Sequence, residues 1–280
     1  NKVYLIKGEH GQVKATADHV WLVKRGGSGK EGKWLMWRRT YQVMKYGYPI
    51  KFFTPPVRSM PETSDYMRGY VTGLFIGDGT CGHYKSIHSY VVRLAMKDLE
   101  AIDRFLRYLD ALKIPFNKRI RKHKTKTSIL YKVDTWRRDV YYRFIDLMEN
   151  KLDTKEFARG FLAGIFDAEG SINVNNVLRI SNYDESVKKD IVRYGNKLGF
   201  KFVVEEKGVR LIGGVEENIR FLTTVRPVIK RKIENIYRLT IKNFVNEDVE
   251  VEYLGKEFVY DITTTSGTFI ANGFLSQTAG

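Results

Sequence analysis

The 280-residue sequence predicts a mixed α/β (α+β) protein in which two tandem αββαββα units interrupt an all-β shell. Three observations carry that reading. Residues 69–80, GYVTGLFIGDGT, reappear in altered form at residues 160–171, GFLAGIFDAEGS. Each copy is followed by a similar alternation of strand-like and helix-like periods. The flanks, by contrast, hold only short β-like runs.

Taken in order, residues 1–64 contain the strand-like runs KATADHVWLVKR and YPIKFFTPP, and Pro55-Pro56 marks a linker. The first unit, 65–151, opens with an apolar helix carrying Gly73 and Gly77 four residues apart and ending in Asp78-Gly79. Strands are predicted over Thr80–Ser86 and Ser89–Met96. A helix follows, because Leu99, Ile102, Phe105, Leu106 and Leu109 recur on one face. Strands at Phe116–Lys122 and Ile129–Thr135 and a helix near Tyr141–Glu149 complete it. The second unit, 152–243, repeats the plan with Gly164 and Ala168 ahead of Glu169-Gly170. Its strands are Ser171–Val174, Val177–Ser181, Lys201–Glu205 and Val209–Ile212. Its later helices are one capped by Asp184, then Glu216–Thr224 and Pro227–Leu239. Residues 244–277 return to strand character, and 278–280 fall outside that shell.

Hydrophobic residues at 43% and aromatics at 13% exclude wholesale disorder. No apolar run approaches the roughly 20 residues that span a bilayer. Asn1-Lys2-Val3-Tyr4 is no signal-peptide start. An intracellular, cytoplasmic protein with no membrane partner is expected, and the scarcity of glutamine (Gln12, Gln42, Gln277) suggests a heat-loving archaeal or other prokaryotic cell. The single cysteine, Cys81, excludes a disulfide framework and a CxxC zinc site. The net charge of +16 points to a polyanion, nucleic acid first, with a merely solvated basic surface as the alternative.

The repeated acids sharpen this. Small residues at i and i+4 make a flat stripe along which two helix backbones approach closely. Two such helices crossing present both terminal acids at one end of the interface. A carboxylate is disfavoured at a helix C-terminus, where the dipole is already negative. Two together repel unless a cation lies between them, and hard divalent ions take oxygen ligands. One copy would equally be a buried helix with a glycine cap; two in matching contexts point to metal-assisted phosphodiester hydrolysis.

Val71-Thr72-Gly73-Leu74-Phe75-Ile76-Gly77-Asp78-Gly79 resembles the LAGLIDADG motif of homing endonucleases, and Leu162-Ala163-Gly164-Ile165-Phe166-Asp167-Ala168-Glu169-Gly170 resembles it more closely. The resemblance spans residues 65–243. It implies a monomer with a pseudo-twofold axis, saddle-shaped sheets in the DNA major groove and a double-strand cut at a long, nearly asymmetric site. By the same resemblance Asp78 and Glu169 are the metal-binding catalytic acids, with Mg²⁺ (or Mn²⁺) as cofactor. The lysines most similar to those near the family's metal sites are Lys132 and Lys232. Lys118, Arg119, Arg121, Lys122, Lys124 and Lys126 form a basic run, and strand alternation would turn half of it toward phosphates or base edges.

The flanks resemble the Hint fold of inteins. Thr16-Ala17-Asp18-His19 looks like the TxxH motif of the upstream splice junction. Val259-Tyr260-Asp261-Ile262 and Thr268-Phe269-Ile270-Ala271-Asn272-Gly273 look like the C-terminal intein blocks. The resemblance makes Gln277 the terminal amide and Thr278 the downstream nucleophile. It departs where the penultimate histidine is Ser276, where the terminal asparagine is Gln277, and where the first block with its nucleophile is missing. Two readings follow: the C-terminal part of a larger or split intein, which would make a separate N-terminal intein piece a partner, or an endonuclease that persists after splicing is lost. A DNA-binding protein without catalysis and a purely protein-splicing element are the competing readings.

Overall fold

A computed structural model describes residues 1–24, 35–53, 61–124, 129–234, 245–264 and 266–278. The chain divides into two compact units, one made of Asn1–Arg58 with Ile241–Gly280 and the other of Ser59–Thr240.

The first segment supplies strands β1 (Lys2–Lys7), β2 (Gln12–Thr16), β3 (Val20–Lys24), β4 (Leu35–Arg39) and β5 (Ile50–Phe52). Between the last two lies a short helix, α1 (Thr40–Tyr46), that the reading of this flank as all-β did not anticipate. Only Thr40 and Val43 are buried on it, too few for a helical period to show in sequence, and Gly47 at φ 65° ends it.

The central unit opens with α2 (Ser64–Asp78), followed by β6 (Gly79–Tyr84), β7 (Ser89–Met96), α3 (Leu99–Ala111), β8 (Arg121–Lys124), β9 (Ile129–Thr135) and α4 (Arg138–Glu149). The plan then repeats as α5 (Lys155–Glu169), β10 (Gly170–Ile172), β11 (Leu178–Ser181), α6 (Glu185–Lys197), β12 (Phe202–Glu205), β13 (Gly208–Leu211), α7 (Gly214–Val225) and a short α8 (Lys230–Ile233). The strand expected from Phe116 begins only at Arg121, because Pro115 and the turn in which Asn117 accepts the Arg119 N–H interrupt pairing. The helix expected over Pro227–Leu239 is present at 230–233, and residues 235–239 lie outside the described residues. Each half forms a four-stranded antiparallel sheet, in orders β6-β7-β9-β8 and β10-β11-β13-β12.

Threonine caps start both motif helices. Thr63 accepts the Tyr66 N–H at 3.3 Å and Thr154 accepts the Phe157 N–H at 3.1 Å. These caps stand 91 residues apart, like the acids. One core runs through both halves, from Tyr66, Tyr70 and Leu74 on α2 through Phe157, Phe161 and Ile165 on α5 to the inner faces of both sheets.

The returning segment adds β14 (Val245–Glu247), β15 (Glu250–Lys256), β16 (Thr268–Ala271) and β17 (Phe274–Gln277). They complete a three-stranded sheet, β15-β1-β2, and a mixed-order sheet in which β17 pairs with β3, β5 and β16. The core of this unit is Ile6, Trp21, Val23, Ile50, Phe52 and Phe274.

Candidate functional site: a carboxylate pair at a helix crossing

The close approach of α2 and α5 begins with missing side chains. A Cβ on Gly69 or Gly73 would overlap the carbonyl oxygens of Phe157 and Phe161. A Cβ on Gly160 or Gly164 would overlap those of Tyr66 and Tyr70. Residues 66, 69, 70 and 73 map onto 157, 160, 161 and 164 by the same 91-residue step. The contacts are therefore reciprocal, as a pseudo-twofold axis requires. The stripe is one turn longer than sequence suggested, with Gly69 and Gly160 joining Gly73-Gly77 and Gly164-Ala168.

At the far end of the crossing Gly77 meets Ala168, and a Cβ there would lie 3.2 Å from Glu169 Cγ. Asp78 and Glu169 are the last residues of their helices, and each following glycine already starts a strand. Gly79 and Gly170 have φ of −84° and −79°, which any residue adopts. Glycine is needed there because a Cβ would overlap the rings of Phe75 and Phe166.

The two acids feel each other. Burial, then the Glu169 carboxylate, then Asp98 raise the Asp78 carboxyl to about 6, against the pull of Lys232. Burial also raises Glu169, and Lys232 opposes it. Lys232 Nζ donates to the last carbonyls of α5, those of Asp167 (2.6 Å), Ala168 (2.8 Å) and Phe166 (3.3 Å). It is thus a cationic cap on a helix terminus that also carries an acid. Burial in turn lowers the Lys232 pKa. Lys132 has a different setting. It lies on β9 with its ammonium 3.6 Å from Asp134, and the charges acting on Asp78 come from Glu169, Lys232 and Asp98 instead.

Asp167 was not singled out in the sequence. It is fully buried and accepts from the Tyr70 hydroxyl (2.8 Å) and the backbone N–H groups of Val228 (2.9 Å) and Ile229 (3.1 Å). Burial raises its pKa while these donors pull it back. It anchors the turn that delivers Lys232. Its counterpart 91 residues earlier is Ile76, so this anchor exists in one half only. An acid inside an otherwise apolar helical run was the available signal.

Of the basic run, Lys118 pairs with Asp110 at 3.0 Å and Arg119 lies in the preceding loop. Arg121, Lys122 and Lys124 are exposed on β8, and Lys126 lies outside the described residues. Val92, Leu94 and Val133 face the core, so Arg93, Lys132 and Asp134 face the other way, and Arg121, opposite Lys132, joins them. Lys122 and Lys124 stand on the opposite side of the strand. In the second sheet Ile180, Val209 and Leu211 face the core, leaving Arg179 and Arg210 outward.

In the split unit, His19 hydrogen-bonds the buried hydroxyl of Ser276, and its own N–H donates to Thr16 O at 3.2 Å. Burial lowers the His19 pKa. Gln277 pairs with Val20 in the sheet, and Thr278 donates from N and Oγ1 to Gly267 O.

An internally duplicated α+β unit, with a glycine-striped helix crossing and an acid at each helix end, defines the class. The family described as LAGLIDADG-like domain matches residues 65–149 and 156–225, more than half of the chain, and the chain belongs to that family. A protein named DNA polymerase from Acanthamoeba polyphaga mimivirus is 26% identical over 236 residues, which cover 78% of this chain. The chain spans only 13% of that relative's length. Among solved structures, I-DmoI in complex with DNA and Mn is 23% identical with a TM-score of 0.48, covering 58% of this chain and 97% of the other. Full-length DUF199/WhiA from Thermatoga maritima is 16% identical with a TM-score of 0.46, covering 67% and 65%.

The acid pair makes a prediction about pH. Between the ordinary value of 3.8 and about 6 the folded Asp78 holds a proton that the unfolded chain has lost. Stability of the metal-free protein therefore falls as pH rises through that window. If the ionised pair holds Mg²⁺, the ion should raise the melting temperature clearly at about pH 8 and little at about pH 5. Equal Mg²⁺ shifts at both pH values would show that the pair does not hold the ion.

Proposed function

We propose that this chain is a site-specific endonuclease that cuts both strands of a long, nearly asymmetric DNA target with Mg²⁺ (or Mn²⁺), and that it is carried inside a Hint-type protein-splicing domain. The observation that carries the nuclease is the pair Asp78 and Glu169, brought together at the ends of two crossing helices with Lys232 beside them. The donor set fits a hard divalent cation. Both groups are carboxylates at negative helix ends, and the oxygen atoms they offer are hard donors. Asp78 and Glu169 would hold such a cation, which when bound would supply Lewis-acid polarisation of the scissile phosphate and a more acidic water. The chain's own residues hold the carboxylates, lessen their repulsion through Lys232, and present the outward arginines of both sheets to the duplex.

The test is incubation of the full chain with fragmented genomic DNA. Double-strand breaks at one recurrent sequence are expected with Mg²⁺ or Mn²⁺, and none with a chelator. DNA retained but never cut with either ion would favour the binding-only reading.

Support for the splicing host comes from the His19–Ser276 contact, which joins the TxxH turn to the strand ending at Gln277. A match confined to about an eighth of a much longer polymerase also suits an inserted element. In that role Gln277 would supply the terminal amide and Thr278 the downstream nucleophile. With a separate N-terminal intein piece added, ligation read by mass spectrometry should depend on His19 and Thr278. Ligation untouched by Thr278→Ala would remove this part of the proposal.

A further inference from the structure

The outward faces of the two sheets carry the same ionic device with its polarity reversed. Strand pairing aligns them residue by residue. Thr80, two residues past Asp78, lies opposite Arg93, which lies opposite Asp134. Ser171, two residues past Glu169, lies opposite Arg179, which lies opposite Arg210. On the edge strands Arg121 lies opposite Lys132, while Glu205 lies opposite Gly208. Arg93 and Arg179 are therefore equivalent, Asp134 corresponds to Arg210, and Arg121 corresponds to Glu205.

In the first sheet the buried Asp134 carboxylate bonds Arg121 and stands 3.6 Å from Lys132 and 3.8 Å from Arg93. In the second, Glu205 takes Arg179 Nε at 2.9 Å and Arg210 Nε at 2.8 Å. These guanidiniums hold the Glu205 carboxyl below the usual range. Because both bonds use Nε, the terminal nitrogens of each fork remain for a ligand. Like-signed side chains facing each other across paired strands, as Arg179 and Arg210 do, would otherwise splay; the acid fixes where the forks point. A mobile lysine suffices for a phosphate, whereas an oriented planar fork suits the paired acceptors of a guanine edge.

We propose that Asp134 and Glu205 are positioning residues that aim arginine forks at guanines, and that the reversed polarity puts those guanines at non-equivalent places in the two half-sites. Arg93 and Arg179, next to the acid pair, read equivalent central positions. The outer contact comes from edge-strand Arg121 in one half and from inner-strand Arg210 in the other. The inference rests on the DNA-binding reading above.

The test uses the full chain, a chelator to prevent cutting, and selection from random-sequence duplexes. Wild type should select a site with guanines in both halves. Arg179→Lys should reduce preference for one guanine by about 5- to 150-fold. It should leave the other half-site and the salt dependence unchanged. Glu205→Gln should weaken guanine preference in the same half while affinity for random DNA does not fall. Glu205 is partly exposed, so this variant keeps its fold. Arg93→Lys should do the same in the first half. Uniform weakening on every sequence, with a salt slope lowered by about 0.9 per lost contact, would mean phosphate contacts and overturn the inference. So would an Arg179→Lys site identical to wild type, or guanines related by a perfect dyad. Wild type that binds no DNA would instead bring down the endonuclease reading itself, and the inference with it.

Discussion

Asp78→Asn and Glu169→Gln should each abolish double-strand cleavage while leaving DNA affinity within a few-fold of wild type. The two carboxylates end the crossing helices and act on one another, so the pair is expected to work as one centre. On the proposed function, removing one charge removes a hard oxygen ligand and the attraction that would concentrate a cation there. A loss of roughly 4 kcal/mol in transition-state stabilisation corresponds to about a thousandfold in rate. On the proposed function the basic faces carry most of the affinity, and removing a negative charge near DNA would not weaken it. Gel assays would separate nicked from linear product. A variant that still linearises its target at the wild-type rate would take that acid out of the site.

The second large effect is on stability. Gly164→Ala would ordinarily stabilise a helix by about 1 kcal/mol. Here the sign reverses, because the new methyl group meets the Tyr70 carbonyl and lies 2.6 Å from Leu74 N, both backbone atoms of the facing helix. A net loss of about 2 kcal/mol is expected, and Gly164→Val should cost about 3 kcal/mol or more. Gly82→Ala is the control, since its methyl would make ordinary contacts with Val91 Cγ1 at 3.4 Å and Tyr84 Cε2 at 3.9 Å. Native-state hydrogen exchange of the α2 and α5 amides reads the effect directly. Unchanged protection in Gly164→Ala would show that the helices can move apart without loss.

Much of the centre was legible because its signals are local. The repeat, the glycine spacing and the terminal acids all lie within single helical segments, where period and sequence distance translate directly into faces. The flanking helix α1 was missed for the converse reason: seven residues with two buried positions hold no readable period. The Phe116–Lys122 strand was overextended because basic residues carry no inward or outward mark, whereas pairing depends on what the neighbouring strand offers.

Sequence by itself determined the duplicated α+β plan, the family, and the two acids that the duplication makes equivalent. Tertiary structure alone decided where the two lysines stand. Lys232 and Lys132 look alike in sequence, yet the turn anchored on the buried Asp167 brings Lys232 to the carbonyls that end α5, while Lys132 stands beside Asp134 on its own strand. Structure also decided which basic residues share a face, and that the ion pairs of the two sheets are reversed. The reason is physical. Helical period and burial are set by the chain's own neighbours in sequence, but ion pairs and strand register depend on residues tens of positions away, whose approach only the packed core determines.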